Sequence, residues 1–186
     1  MNHIYQDKTF GENWFTYKNL YKSMVEKFNS GSIFVEVGCW KGKSSAYLAV
    51  EILNSGKNIK LNCIDTWKGS VEHLEYEHVK KNTLYDLFIN NVSPLLTIIN
   101  PIRMESVDAS KIFEDNSIDF IFIDASHDYN NVKSDIKSWY PKLKNGGVIA
   151  GHDYNNWKGV EKAVNEFFIN KDFLISEECW IHEKII

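Results

Sequence analysis

The sequence predicts an α/β fold: a Rossmann-like, doubly wound sheet of seven strands that is mostly parallel and ends in an antiparallel C-terminal hairpin. Short, continuously apolar runs recur along the chain, as expected for strands that are covered on both faces. Amphipathic stretches with helical spacing alternate with these runs, which favours a parallel sheet with helical crossovers. The last two apolar runs are joined only by the polar residues 176–178. This link is too short for a crossover, so the two strands are expected to pair antiparallel.

The N-terminal half is expected to begin with a helical extension within residues 1–30. Apolar side chains recur at helical spacing from Trp14 to Phe28, which predicts a helix over residues 12–29 that stops at Gly31. The apolar runs that follow are predicted as strands, the amphipathic stretches as helices, and a polar, aromatic segment as a lid. In order, these are strand 33–37, helix 43–53, strand 60–64, lid 66–80, helix 79–90 and strand 95–99.

The second half repeats this alternation up to the hairpin. Val132 and Ile136 belong to a helical stripe that Pro141 limits, and a glycine pair at 146–147 marks the turn before another apolar run. The predicted elements are a helical turn at 110–113, strand 118–123, helix 132–140, strand 147–151, helix 160–168, and strands 172–175 and 179–185.

Composition excludes several classes of protein. With 44% hydrophobic residues among 186, the chain can build a core and does not have the composition of a disordered protein. A net charge of −4 argues against a nucleic-acid partner, which would select a basic surface. Three separated cysteines do not make a disulfide scaffold or a thiolate zinc site. With no signal peptide or long apolar run in the sequence, we expect no membrane partner and one cytoplasmic domain over residues 1–186.

The turn after the first predicted strand has the features of a ligand-binding loop. Gly38 and Gly42 permit a tight turn and close approach of the backbone to a ligand, and Ser44 lies where the next helix begins. An ordinary strand-to-helix turn is the alternative. The third glycine of the dinucleotide fingerprint is missing, which weakens an NAD(P) interpretation.

Two further segments follow strand ends. Asp65 ends the second strand, where a carboxylate can accept both hydroxyls of a ribose, or alternatively cap a loop. Trp67 is placed to cover an adenine face or to anchor the lid. After the third strand, Ser106 is placed to read an adenine edge, although Ser106 or Asp108 can equally cap a short helix.

Acidic and imidazole side chains follow the fourth and fifth strands. Asp124 and His127 come after one strand, and His152 and Asp153 after the next. Because parallel strands end at one edge of the sheet, these groups are expected to meet there. Asp124, Asp153 and His152 then suit a divalent cation such as Mg²⁺, Mn²⁺ or Ca²⁺, and His127 suits a general base. A purely structural polar network is the alternative.

With these residues placed, the sequence resembles the class I S-adenosylmethionine-dependent methyltransferases. It looks closest to the small-domain group of macrocin O-methyltransferase-like and cephalosporin-hydroxylase-like proteins. The resemblance covers about residues 31–168, and its longest segment is the most specific. The matching segments are FVEVGCWKGKSS, CIDTWKGS and DFIFIDASHDYNNVKSDIKSWYPKLKNGGVIAGHDY.

The resemblance implies roles for most of the residues singled out above. The turn would hold the methionine part of S-adenosylmethionine, with Glu36 and Gly38 closest, while Asp65 would bind the ribose. Asp124 resembles the first carboxylate of a metal site, and His127 falls at the position of the base. The pair after the fifth strand is acidic or amide in most relatives, so the imidazole of His152 is a departure. The implied cofactor-binding set is Glu36, Gly38, Gly42, Ser44, Asp65, Trp67, Ser106 and Asp124; the implied metal ligands are Asp124, His152 and Asp153; the implied catalytic residues are His127 and Asp124.

The resemblance therefore implies metal-assisted O-methylation of a small-molecule or saccharide hydroxyl. A Rossmann-type NAD(P) oxidoreductase and a cofactor-binding protein without turnover are the alternatives. The net negative charge and the lack of a cluster of basic residues argue against an RNA methyltransferase. Because the chain is short for this group, a homodimer that completes the pocket is a further expectation.

Overall fold

Seven strands form one sheet in the computed structural model, which describes residues 1–185. Their order across the sheet is β3-β2-β1-β4-β5-β7-β6. The strands are β1 Ile33–Val37, β2 Lys60–Asp65, β3 Ile99–Arg103, β4 Ile118–Ile123, β5 Leu143–Gly151, β6 Leu174–Ser176 and β7 Cys179–Glu183.

The sheet has the predicted mixed topology. Strands β1 to β5 pair in parallel, whereas β7 runs antiparallel to both β5 and β6. The predicted α/β fold with a C-terminal antiparallel hairpin is therefore confirmed. The strand order reverses at β1, which lies between β2 and β4. Parallel sheets bind ligands beyond the carboxyl ends of the strands at such a switch point.

Helices cover both faces of the sheet and bury an apolar cluster on each side. Helices α1, α2 and α4 pack on one face, and α5, α6 and α7 on the other. Within residues 1–185, no helix is long and apolar enough to cross a bilayer. The helices are α1 Lys18–Lys27, α2 Lys43–Ser55, α3 Glu77–Lys80, α4 Leu84–Val92, α5 Ser106–Ser110, α6 Tyr129–Trp139 and α7 Lys158–Phe167.

The N-terminal segment differs from its prediction. The expected helix over 12–29 begins only at Lys18, and residues 11–17 cross the carboxyl edge of the sheet in an irregular conformation. The Tyr17 hydroxyl donates a 2.7 Å hydrogen bond to Asp124, and Thr16 lies 3.0 Å from His152. The aromatic residues that suggested a longer helix therefore contact the sheet edge instead of extending α1.

The third strand was also predicted too early. The apolar run at 95–99 enters a 3₁₀ turn that contains Pro94, and β3 begins at Ile99. Pro101 lies inside β3, which is tolerated because β3 is the edge strand and needs fewer amide donors. The helical turn predicted at 110–113 is displaced to α5. Smaller shifts affect β5, which begins at Leu143, and the predicted helix 79–90, which is divided into α3 and α4.

Candidate active site

The turn after β1 lies against the end of β4, and this contact requires glycine. Gly38 has a φ of +86°, and a Cβ there would lie 2.0 Å from the carbonyl oxygen of Asp124. Asp65 anchors the same turn from β2, since its Oδ2 accepts the amides of Cys39 at 2.8 Å and Trp40 at 3.0 Å. Its Oδ1 accepts the amide of Trp67 at 2.7 Å. The turn is thus tied to both neighbouring strands.

Three residues of the expected cofactor-binding set lie in the core instead of facing open space. Glu36 is fully buried beneath the turn, where its carboxylate accepts hydrogen bonds from Tyr21 at 2.7 Å and from Ser45. Trp67 is also fully buried, and its indole N–H donates to the Trp40 carbonyl at 3.0 Å. A Cβ on Gly42 would meet the side chains of α4. Trp67 therefore anchors the lid and does not cover an adenine face, the second of its two expected roles.

Two adjoining cavities open at the carboxyl edge of the sheet. The larger, of about 780 Å³, contains Asp65 and Ser106 in its wall. The smaller, of about 520 Å³, contains Ser44, His152 and Asp153 and is covered by the N-terminal segment. Their shared wall consists of Gly38, Trp40, Glu72, His73, Asp124, Ala125, His127 and Trp157.

The polar side chains expected at two strand ends do meet. The Asp153 Oδ2 atom lies 3.0 Å from His127 Nε2 and 3.4 Å from His152 Nδ1. The latter nitrogen is 3.8 Å from Asp124 Oδ1. The predicted convergence of these four side chains is therefore present at the boundary between the two cavities.

Several residues in this cluster were not identified from the sequence. Glu72 of the lid lies 2.8 Å from His127 Nδ1, and Trp157 stacks on the same imidazole at 4.4 Å between ring centres. Glu178 lies 3.5 Å from His152 Nε2. In the sequence, Tyr17 counts as one member of an apolar helical stripe. The one available signal for its contact with Asp124 is that a buried tyrosine hydroxyl usually needs a polar partner.

Charge coupling changes the pKa values within the cluster. Burial lowers the pKa of His127 and of His152, but the hydrogen bonds to Asp153 and the nearby carboxylates outweigh burial and raise both. Burial raises the pKa of Asp153, but the hydrogen bonds from the two imidazoles hold it well below its usual value. Asp124 has a raised pKa, mainly because of burial. Asp153 is therefore the constant anionic partner of two imidazoles.

Among the residues that the structure describes, two groups of side chains have the spacing of a metal site. In the first, Asp124, His152 and Asp153 each offer one atom within 4.8 Å of the others. The second comprises Glu36, Cys39 and Cys63. Burial raises the pKa of both thiols, which keeps them protonated and unsuited to metal binding. Only the first group has the donor chemistry of a cation site.

The larger cavity is lined by a buried carboxyl group on α6 that was not singled out from the sequence. Asp135 is 6% exposed and lines this cavity together with Ser106. Ser106 accepts the indole N–H of Trp139 at 2.9 Å. Burial raises the pKa of Asp135 to about 6.

This raised pKa predicts a pH-dependent stability. A carboxyl group whose pKa is raised on folding destabilises the fold above that pKa and has no effect below its unfolded value. At pH 8, the free energy of unfolding of Asp135→Asn should therefore exceed that of the wild type by about 3 kcal/mol. The difference should shrink as pH falls from 7 to 4. Urea unfolding across this range measures it, and Asp108→Asn, an exposed carboxyl group on α5, is the control. A difference that does not depend on pH would contradict the prediction.

Comparison with known proteins identifies the family. A family model described as a methyltransferase domain matches residues 35–154. Protein R132 of Acanthamoeba polyphaga mimivirus is 27% identical over 171 residues, which are 87% of this chain and 71% of that protein. Protein y4gI of Sinorhizobium fredii is 28% identical over 90 residues, which are 48% of this chain but only 10% of that protein's length.

Solved structures support the same fold. The O-methyltransferase NovP superposes with a TM-score of 0.72 at 16% identity, covering 92% of this chain and 80% of NovP. The TDP-rhamnose 3′-O-methyltransferase CalS11 of calicheamicin biosynthesis gives a TM-score of 0.62 at 11% identity, covering 89% of this chain and 76% of CalS11. The family match favours methyl transfer over the oxidoreductase alternative, because it spans the glycine turn, Asp65 and the Asp–His cluster. The chain therefore belongs to the methyltransferase-domain family of class I enzymes, whose cofactor is S-adenosylmethionine.

Proposed function

We propose that this methyltransferase transfers the cofactor's methyl group to a hydroxyl oxygen of a small molecule or sugar, with His127 as general base. One observation carries the proposal: His127 and Asp124 lie in the wall shared by the two cavities. A cofactor in the larger cavity and an acceptor in the smaller one would then meet at an imidazole. Alignment of two bound reactants supplies much of the rate enhancement of such a transfer.

The larger cavity suits S-adenosylmethionine. Asp65 faces it, and its carboxylate oxygens retain lone pairs for ribose hydroxyls beyond the three amides they hold. Gly38 lines both cavities, so the methionine end of the cofactor would lie nearest the acceptor. Ser44 lines the smaller of these two cavities and not the larger, which supports a contact with that end of the cofactor or with the acceptor.

The smaller cavity suits a ring with hydroxyl groups. Its wall combines aromatic side chains with polar ones, among them Trp14, Tyr76, Lys43 and Asn156. Aromatic faces pack on sugar or catechol rings, and the polar groups can bind hydroxyls. The name of CalS11 specifies a sugar 3′-hydroxyl as its acceptor, which supports a saccharide here. A cytoplasmic location, a homodimer and the absence of nucleic-acid and membrane partners stay predictions from the sequence.

The side chains around His127 fit the removal of a proton. A carboxylate lies beside each ring nitrogen, Glu72 at 2.8 Å from Nδ1 and Asp153 at 3.0 Å from Nε2. When Nδ1 carries the N–H toward Glu72, Nε2 would take the acceptor's proton on the side that it shares with Asp153. Asp153 would stabilise the imidazolium that forms, at 3.0 Å. Stacking on Trp157 fixes the plane of the ring. The acceptor oxygen would then attack the methyl group from the side opposite the sulfonium.

Methyl transfer can be tested with S-adenosylmethionine that carries an isotopic label on its methyl group. We expect labelled O-methyl products from a panel that contains catechols, TDP-rhamnose and other nucleotide-linked sugars. Tight binding of S-adenosylhomocysteine without any labelled product would favour a cofactor-binding protein without turnover. Label on nitrogen or carbon would overturn O-methylation while leaving the family assignment intact.

The residues at the expected metal site fit a divalent cation. Tyr17 occupies Asp124 Oδ2, which leaves Oδ1 beside His152 and Asp153. Two carboxylates and one imidazole favour a borderline ion such as Mn²⁺ over Mg²⁺ or Ca²⁺. When bound, such a cation would polarise the acceptor hydroxyl and lower its pKa.

Metal binding gives a separate prediction. Calorimetric titration with Mn²⁺ should show one site, and Asp153→Asn should weaken it by at least about 10-fold, the loss known even for outer-shell partners of a metal. Asp115→Asn is the matched control, since Asp115 is an exposed carboxyl group paired with Lys142. Equal Mn²⁺ affinity in wild type and Asp153→Asn would contradict the site.

A further inference from the structure

The lid brings a second imidazole to the wall between the two cavities, and the proposed chemistry does not use it. His73 is the last residue of a 3₁₀ turn, Val71–His73, and it lines both cavities. The residue before it is Glu72, which lies 2.8 Å from Nδ1 of the proposed base, His127. One short turn of the lid therefore places His73 in the same wall as the base.

The local backbone fixes which ring nitrogen of His73 carries its proton. Ser70 and His73 form a reciprocal capping box, in which the Ser70 side chain accepts the His73 amide and the imidazole accepts the Ser70 amide. The accepting nitrogen is Nδ1, at 3.3 Å from the Ser70 nitrogen. A neutral imidazole has one acceptor nitrogen and one N–H, so the N–H is at Nε2. Among the hydrogen bonds of residues 1–185, the one with the Ser70 amide is the one that this ring makes, and its Nε2–H is left for a ligand.

The surroundings of His73 keep its ring neutral and in place. Burial lowers the pKa of His73, and the nearby His127 acts in the same direction, against the opposite effect of neighbouring carboxylates. Three aromatic rings pack around the imidazole, at 4.4, 5.6 and 5.7 Å between ring centres, and they belong to Trp40, Trp14 and Tyr76. A polar group that packing holds in advance needs little reorganisation when charge develops beside it.

His127 and His73 are therefore suited to opposite functions. Carboxylates lie beside both nitrogens of His127, and they stabilise the imidazolium that forms when this ring takes a proton. None of the ion pairs within residues 1–185 includes His73. Two imidazoles whose environments differ in this way can act as a proton acceptor and as a hydrogen-bond donor at one site.

We infer that His73 is a second catalytic residue, whose Nε2–H donates a hydrogen bond to the reacting oxygen of the acceptor while that oxygen loses its proton to His127. The inference rests on the proposed O-methylation. In this step the hydroxyl proton passes to Nε2 of His127, and an oxygen lone pair forms the O–CH₃ bond. The electron pair of the S–CH₃ bond stays on sulfur, which becomes a neutral thioether. Negative charge develops on the oxygen as the proton leaves, and another of its lone pairs accepts the N–H of His73, which keeps its own proton.

Three substitutions separate the hydrogen-bond donor from the structural contacts of His73. The capping box takes glutamine or glutamate at this position, so His73→Gln and His73→Glu both keep the contact with the Ser70 amide. Only His73→Gln also keeps a free N–H, because its amide has two donors and the carboxylate has none. His73→Phe keeps an aromatic ring beside Trp40 but has neither nitrogen.

We expect His73→Gln to keep the wild-type turnover number within a few-fold. His73→Phe and His73→Glu should each lower it by about 10- to 100-fold, the range for a hydrogen bond to a charged group. The KM for the acceptor should change by only a few-fold in His73→Phe, because the hydrogen bond strengthens as charge develops in the transition state. Steady-state kinetics with an acceptor that the wild type methylates on oxygen measures both quantities.

Two further measurements accompany the kinetics. Calorimetry with S-adenosylhomocysteine should give affinities within a few-fold of the wild type for all three variants, since the donor acts on the acceptor and not on the cofactor. Thermal unfolding checks that each variant is folded. If His73→Phe does not fold, the pair of His73→Glu and His73→Gln gives the same comparison, because both keep the capping box.

Several outcomes would overturn the inference and leave O-methylation intact. One is wild-type turnover in His73→Phe, which would mean that no donor is needed. Another is an equal loss of turnover in His73→Gln and in the variants without a donor, which would assign a structural role to the ring. A loss of S-adenosylhomocysteine affinity as large as the loss of turnover would place the donor on the cofactor. If the wild type methylates no hydroxyl group, the proposed function fails and the inference fails with it.

Discussion

Replacing His127 by alanine should lower the turnover number of methyl transfer by about 100- to 10,000-fold, the range that a positioned general base contributes. The imidazole lies in the wall between the two cavities, where the acceptor hydroxyl loses its proton in the proposed reaction. Truncation removes the proton acceptor but does not touch Asp65 or the glycine turn. The affinity for S-adenosylhomocysteine should therefore change by only a few-fold. Initial rates of product formation and calorimetry measure the two quantities.

His78→Ala is the control for this loss. His78 lies on α3 at the end of the lid and contacts Thr83 at 3.3 Å, and it lines neither cavity. Its turnover should stay close to that of the wild type. If His127→Ala retained full turnover, His127 would not be the base, and the imidazole would belong to a purely structural network with Glu72 and Asp153.

Replacing Gly38 by alanine should destabilise the fold by about 3 kcal/mol or more and abolish cofactor binding. The left-handed backbone costs about 1–2 kcal/mol for a residue with a side chain. A Cβ 2.0 Å from the Asp124 carbonyl oxygen adds overpacking of about 1–3 kcal/mol. Because the clash is with backbone, relief requires the turn to move away from β4. Urea unfolding and titration with S-adenosylhomocysteine measure both effects.

Gly56→Ala separates the two contributions. Gly56 also has a positive φ, of +67°, but a Cβ there would meet nothing within 4 Å. It should cost only the backbone strain of about 1–2 kcal/mol and leave cofactor affinity unchanged. Equal losses of stability in the two variants would mean that the close approach of Gly38 to Asp124 has no energetic consequence.

Most of the fold could be predicted because its signals are local. Apolar runs such as Ile118–Ile123 are buried on both faces, and the short polar link before Cys179 permits only a hairpin. The predicted helix and strand boundaries were wrong where apolar residues lie in a turn or cover the sheet edge. Residues 95–99 have the composition of a strand, but residues 95–98 continue the turn that contains Pro94, and the strand begins only at Ile99. Trp14 and Tyr17 have helical spacing, but their rings cover the sheet edge.

The site residues that directly follow a strand could be predicted from the sequence. Asp65, Asp124 and Asp153 each end or follow a strand of the parallel sheet, so topology alone brings them to one edge. Glu72 and Asp135 have no such signal. One lies in a lid whose path depends on long-range contacts, and the other lies mid-helix, where only packing decides which face is buried.

The sequence by itself determined the fold class, the family and the identity of the Asp–His cluster, because strand ends and motifs are properties of neighbouring residues. Only the tertiary structure decided which of these groups face open space. It buried Glu36 and Trp67 in the core, brought Tyr17 and Glu72 to Asp124 and His127, and turned Asp135 toward the larger cavity. The physical reason is that burial and charge coupling depend on contacts between distant segments, which periodicity and spacing do not contain.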